Sequence, residues 1–240
     1  MKKTETVVMR AIAHIHTGFP TKFGIPRQSG LVKALTGKII FEPEYRNPDA
    51  FRGLDGYSHL WLLWDFHMAH RSVWEPTVRP PRLGGNQRMG VFATRSPFRP
   101  NPIGLSCVEF AGLETDPSDG PVLWVRGADL VDNTPILDIK PYLPITDSHP
   151  DAATGFAEKT AAHSLRVLIP DTCEQKIPDS QRQAIREILE QDPRPGYQRD
   201  PDRVYGFVYA GMEIRFRVTG DVLEVTEILA SDLSGMKEGD

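Results

Sequence analysis

The 240-residue sequence has little cysteine. Cys107 and Cys173 are too few for a disulfide framework and too far apart for a zinc knuckle, so both are expected reduced and packed. No apolar run approaches the ~20 residues of a membrane-spanning helix. Thr4, Glu5 and Thr6 stand where a secretory leader would place its apolar stretch, so a cytoplasmic protein is expected. No glycine fingerprint joins a strand to a helix, which argues against a doubly wound nucleotide fold. Gly30 to Lys38 has the wrong spacing for a phosphate loop, and Ser106 in GLSCV lacks the second glycine of a nucleophile elbow. His14 with His16, and His67 with His70, each offer two imidazoles without a third ligand, so no metal is expected.

Hydrophobic residues at 40% and charged residues at 25% are those of an ordinary globular protein. The net charge of −4 argues against a protein that coats nucleic acid nonspecifically. Its distribution is uneven. Residues 71–108 carry Arg71, Arg79, Arg82, Arg88, Arg95 and Arg99 against Glu75 alone, whereas 109–155 carry nine acids against Arg126 and Lys140. Such blocks form a local anion site or interleave and cancel, and charge alone leaves both open.

Strand signals fall at Val7–Ile15, Lys38–Glu42, Leu60–Phe66, Met89–Ala93, Ile103–Phe110, Val122–Arg126 and Ile136–Ile139. Leu60–Phe66 is nearly unbroken apolar and reads as a buried central strand. Six prolines between Pro76 and Pro102 predict rigid irregular chain. Many strands with almost no crossover helix predict a mainly β fold, closed or strongly curved, over residues 1–146. Residues 147–162 read as a linker, and 163–240 as a smaller α+β domain. In that domain His163–Ile169 is a strand and Asp179–Gln191 an amphipathic helix capped by Asp179 or Ser180. Val204–Tyr209, Glu213–Val218 and Val222–Leu229 form a meander.

Four segments are dense in arginine, carboxylate and proline: 24–31, 58–67, 89–106 and 129–144. Rigid loops of this kind suit a preorganised ligand cleft, and a structural ion-pair network is the competing reading. The strings GIPRQ, YSHLW, RPPRLGGN, GVFATRSPFRPNPIGLS and DLVDNTPILDIKPY resemble the TsaA-like (YaeB/VirR) family across Thr4 to Pro144. QDPRPGY at 191–197 and the closing meander resemble the carboxy-terminal domain of its bacterial members. The resemblance implies a single-sheeted β barrel that binds S-adenosyl-L-methionine near a homodimer interface, with no metal and no membrane partner. The implied reaction methylates N6 of threonylcarbamoyladenosine beside the anticodon of threonine-accepting tRNA.

Carried over by motif, the resemblance places Pro26, Arg27 and Gln28 in one cofactor wall and Phe66 and His67 in a second. Arg95 and Leu105 come from the third segment, and Gly127, Ala128, Asp129 and Leu130 from the fourth. Each residue also has a purely structural reading, as loop former, core aromatic or satisfied histidine. The target nitrogen must lose a proton, for which Asp138, His67 and Tyr142 are candidates, while Lys140, Arg95 and Arg99 suit a carboxylate or phosphate of the substrate. The catalytic candidates are therefore Asp138, Lys140 and Tyr142. A noncatalytic module that senses a nucleotide or cofactor, or a methyltransferase acting on another RNA or small molecule, are the alternatives. Arg194, Arg199 and Arg203 follow the helix and suit either tRNA or a dimer face.

Overall fold

A computed structural model describes residues 5–80, 87–156, 164–194 and 200–231. Strands β1 (Ala13–His16), β2 (Thr36–Phe41), β3 (His59–Asp65), β4 (Thr77–Val78), β5 (Met89–Gly90), β6 (Ile103–Asp116), β7 (Gly120–Arg126) and β8 (Thr134–Pro141) make up the first part. Six of them close into one antiparallel barrel in the order β1-β2-β7-β6-β3-β8. Closure removes both sheet edges, which explains how so many strands coexist with almost no helix.

Inward positions alternate with period two. On β3, Leu60, Leu62 and Trp64 are buried while Trp61 and Leu63 are half-buried on the outer face. The unbroken apolar run therefore reflects a covered outer face rather than a strand buried on both sides: Trp61 donates its Nε1–H to Asp147 at 2.8 Å and packs on Tyr142. Ile15, Ile39, Val108, Val125 and Ile136 complete the interior. Two expected strands are shorter than their sequence signals. Val7 and Val8 are 79% and 85% exposed because β1 finds ladder partners only from Ala13 onward. Only Met89 and Gly90 pair, with Val78 and Thr77, before Val91–Ala93 turns into a 3-10 helix.

A short helix α1 (Pro144–Asp147) leaves the barrel; residues 157–162 of the expected linker lie outside the described residues. The second part contains β9 (Arg166–Leu168), α2 (Asp171–Glu174), α3 (Asp179–Glu190), β10 (Tyr205–Tyr209), β11 (Met212–Thr219) and β12 (Val222–Ala230). Its sheet runs β10-β11-β12-β9, with β9 parallel to β12. Ala210 and Gly211, at φ 48° and 77°, form the β10–β11 turn. Helix α3 buries Ala184, Ile185, Ile188 and Leu189. Its N-cap is Pro178, without a side-chain cap, and Asp179 sits in the first turn, where its charge suits the helix dipole.

The core of this second part crosses the domain boundary. Phe19, Val32 and Leu35, from the loop between β1 and β2, pack among Ile185, Leu189, Phe207, Tyr209 and Phe216. The Ala210 N–H donates to the Gly18 carbonyl at 2.8 Å, and the Ala34 N–H to Glu187 at 3.1 Å. No Cβ fits at Gly18 or Gly24, because Tyr209 and Phe207 press directly on their backbones.

Candidate active site

A cleft of about 690 Å³ opens at one end of the barrel, within the size range of small-molecule sites. The β1–β2 loop contributes Lys22, Pro26, Arg27 and Gln28. The end of β3 and the chain after it contribute Trp64, Phe66, His67 and Met68. Thr94, Arg95, Phe98 and Arg99 come from the proline-rich segment, Gly104 and Leu105 from the start of β6, and Asp129, Val131 and Thr134 from the approach to β8. All four dense segments thus meet in one place.

Hydrogen bonds to backbone carbonyls lock the walls together. The Phe66 N–H donates to Pro102, the Ala69 N–H to Phe66, and Lys22 Nζ to the Met68 carbonyl at 2.6 Å. Gly127, at φ 73°, brings its backbone against Gly30: a Cβ there would lie 3.2 Å from the Gly30 Cα. The Gly30 N–H donates to the Gly127 carbonyl, and the Gly127 N–H to Leu35. Gly127, Ala128 and Leu130 do not line the cleft. They are buried and build the turn that presents Asp129.

Asp129 is the electrostatic centre. Ser106, 1% exposed, donates its hydroxyl to Asp129 Oδ1 at 2.6 Å and accepts the Trp64 indole N–H at 3.0 Å. Burial pushes the Asp129 carboxyl up from its ordinary value, against the Ser106 hydroxyl, the N–H groups of Asp129 and Ser29, and the charge of Arg95. A carboxylate desolvated in this way favours a cationic ligand. Arg95 donates to the Gln28 side-chain oxygen, joining the first and third segments. Arg99 donates to the Thr94 carbonyl at 3.3 Å. Burial followed by the nearby Asp147 charge pushes the Cys107 thiol up, so it is a weak nucleophile.

Pro26, Arg27, Gln28, Phe66, His67, Arg95, Leu105 and Asp129 therefore share one cleft. Asp138, Lys140 and Tyr142 do not. Strand β8 starts at the cleft with Thr134 and carries them away along the barrel, at ~3.3 Å per residue. Asp138 pairs with Lys140 at 2.8 Å, and Tyr142 packs on Trp61 and His59. Sequence reasoning missed Ser106 and Trp64, whose roles depend on strand register, and Ser29, whose role depends on the course of the β1–β2 loop. Ser106 and Trp64 occupy alternate inward positions of two paired strands, the signal that could have flagged them.

Of Arg194, Arg199 and Arg203 after α3, the two described ones are each engaged. Arg194 is locked by Asp192 through bonds of 2.7 and 2.8 Å, its side chain only 10% exposed, while its carbonyl accepts from Arg27 at 3.4 Å. Arg203 lies over the Tyr205 ring, and Arg199 is outside the described residues.

Fold and site define a closed β barrel with a cleft at one end, one wall of which, the β1–β2 loop, is backed by an appended α+β unit. The family description "tRNA-methyltransferase O N-terminal domain" matches residues 14–148, and "TrmO C-terminal domain" matches 162–231. The chain belongs to the tRNA-methyltransferase O family. It is 43% identical over 222 residues to the tRNA (adenine(37)-N6)-methyltransferase of Escherichia coli K12, covering 89% of this chain and 94% of the relative. It is 38% identical over 229 residues to a Pseudomonas aeruginosa protein named as a putative S-adenosylmethionine-dependent methyltransferase, covering 92% and 97%. A crystal structure of TrmO from Pseudomonas aeruginosa superposes with a TM-score of 0.78 at 33% identity, covering 96% of this chain and 100% of that one.

Proposed function

We propose that this protein transfers a methyl group from S-adenosyl-L-methionine to N6 of adenosine 37 in tRNA, the adenosine carrying a threonylcarbamoyl group and the tRNA accepting threonine. The observation that carries the reading is the convergence of four sequence-distant segments on one cleft around Asp129. The cleft's donor set fits the cofactor. Asp129 suits its ammonium or sulfonium, Arg95 and Arg27 its carboxylate, and the tilted Trp64–Phe66 pair, 4.2 Å between centroids, its adenine. When bound, S-adenosyl-L-methionine supplies an electrophilic methyl group.

The chain's own part is alignment, water exclusion and proton handling. Pro26, Pro97 and the Gly127 turn fix the wall geometry before any ligand arrives. Asp129 in the depth and His67 at the mouth are the cleft groups suited to take the N6 proton, so we assign that role to them rather than to Asp138 or Tyr142. Arg99 and Lys22 suit the threonyl carboxylate or an adjacent phosphate. Homodimerisation and a cytoplasmic location, where the tRNA resides, belong to the same reading.

Purified protein, labelled cofactor and threonine tRNA verified to carry the threonylcarbamoyl group should yield methylated adenosine 37. No transfer to verified substrate overturns the proposal, and cofactor binding without transfer would identify a sensing module instead.

A further inference from the structure

Between β3 and β6 the chain makes a long excursion held by a two-residue ladder, β4 with β5, and by the Val91 N–H bonding to Pro76. A ribbon of this size is marginal alone. Val91 is buried, but three of its apolar side chains stay outside: Val73 is 74% exposed, Phe92 73% and Trp74 46%. Trp74 and Phe92 face each other at 6.2 Å between centroids and 32° between planes. Nearby in sequence, Arg71 lies 3.6 Å over the ring of Phe98, which itself lines the cleft. Aromatic rings and arginines are therefore interspersed along this excursion, a strip of chain that reaches the cleft at Arg95, Phe98 and Arg99.

We propose that this strip is a stacking shelf for unpaired bases of the anticodon loop flanking the target adenosine; the inference rests on the function proposed above and deepens it. Three observations select single-stranded RNA as the occupant. First, the described residues 71–80 and 87–99 hold five arginines against Glu75, so the strip is basic on a chain of net charge −4. Among the described residues Arg79 has no ion-pair partner, and Arg88 neutralises Glu75 at 3.1 Å. Second, the strip is continuous with the site. Phe92 is three residues from Arg95, at most about 11 Å along the chain, and so within reach of a neighbouring nucleotide. Third, a base entering the cleft must leave its stack, and its neighbours then lose a partner face. Exposed rings beside the cleft mouth supply replacement faces, and guanidiniums neutralise the intervening phosphates.

The test uses full-length protein and a modified anticodon stem-loop, measuring RNA affinity by fluorescence anisotropy, cofactor affinity by calorimetry and particle mass in parallel. Neither Trp74 nor Phe92 lines the cleft, and both are exposed enough for replacement to leave the fold intact. Trp74→Ala and Phe92→Ala should each weaken RNA binding about 5- to 100-fold, the effect of one lost base stack. Cofactor affinity should stay within about twofold. Phe92→Tyr should retain RNA affinity whereas Phe92→Leu should lose it, since a flat ring and not mere apolarity is required. Arg79→Ala should reduce the salt slope of RNA binding by about one. Unchanged RNA affinity in both alanine variants overturns the shelf, as does full rescue by Phe92→Leu. A fall in particle mass with these variants would assign the strip to a second copy and overturn it likewise. Because RNA binding is read without turnover, failure of the shelf is separable from failure of methyl transfer by the wild-type protein.

Discussion

Replacing Gly24 by alanine tests whether the second domain holds the β1–β2 loop wall of the cleft. Gly24 adopts φ 90°, which costs a non-glycine residue ~1–3 kcal/mol. Its added methyl carbon would lie 2.6 Å from Phe207 Cδ2 and 2.9 Å from Phe207 Cβ, inside contact distance of a ring that is 3% exposed. Overpacking of that kind costs a further ~1–3 kcal/mol. Gly24→Ala should therefore lose about 2–6 kcal/mol, a large share of a domain stability of ~5–15 kcal/mol. Phe207→Ala alone should lose ~3–5 kcal/mol through the cavity it leaves. The double variant should lose less than the sum, because the cavity admits the methyl group, and the coupling should be ~1–3 kcal/mol. The φ penalty remains in the double variant, so recovery is partial. Urea unfolding gives the stabilities, and calorimetric titration with S-adenosyl-L-methionine gives the affinity, which should fall in both single variants because Pro26, Arg27 and Gln28 lie two to four residues after Gly24 in the same loop. Additivity within ~0.5 kcal/mol would refute the clash. Lost stability with untouched cofactor affinity would refute the buttress.

Arg95→Ala should weaken the cofactor about 10- to 150-fold, the loss of a charge-assisted contact, while unfolding shifts by less than ~0.5 kcal/mol because the side chain is exposed; unchanged calorimetric affinity would remove Arg95 from the site. Burial raises the Asp129 pKa, so between its unfolded and folded values the folded state holds the extra proton and stability falls as pH rises. Asp129→Asn should consequently stabilise the ligand-free protein at neutral pH, with the gain vanishing as pH drops below the ordinary carboxylate range, in unfolding followed across pH. Ser106→Ala removes a downward pull on Asp129 and orphans the Trp64 N–H, so the carboxyl should titrate higher by NMR and stability should fall by ~1–3 kcal/mol. Burial also pushes the Tyr209 hydroxyl up to about 12, so stability should decline as pH rises from 10 toward that value, and phenolate absorbance should appear together with unfolding.

Much of the fold was legible in the sequence, because periodicity survives local irregularity. The meander from Tyr205 to Ala230 and the helix from Asp179 followed their patterns to within a residue or two. Strand lengths were less legible where pairing decides them. The apolar Val7–Met9 stretch has β-branched composition and no ladder, and Ile103–Asp116 runs six residues past its expected end because β7 accompanies it. The cleft was readable as four segments, since arginines among prolines have no packing purpose. Its chemistry was only partly so. Asp138 and Lys140 belong to the same motif as Asp129, but nothing in a linear string says that β8 carries them down the barrel flank. Likewise, the Trp64–Ser106–Asp129 relay exists only through the register of β3 on β6.

The two recognisable stretches of this chain are consecutive on paper, yet Phe19, Val32 and Leu35 make the loop of one a part of the other's interior. Calorimetric melting should then show a single endotherm rather than two. Occupancy of the cleft should also slow amide deuteration in β10 and β11, strands that do not line it. A truncated gene encoding the barrel alone would leave those three apolar residues facing water, so any natural barrel-only relative must carry a different loop at this point.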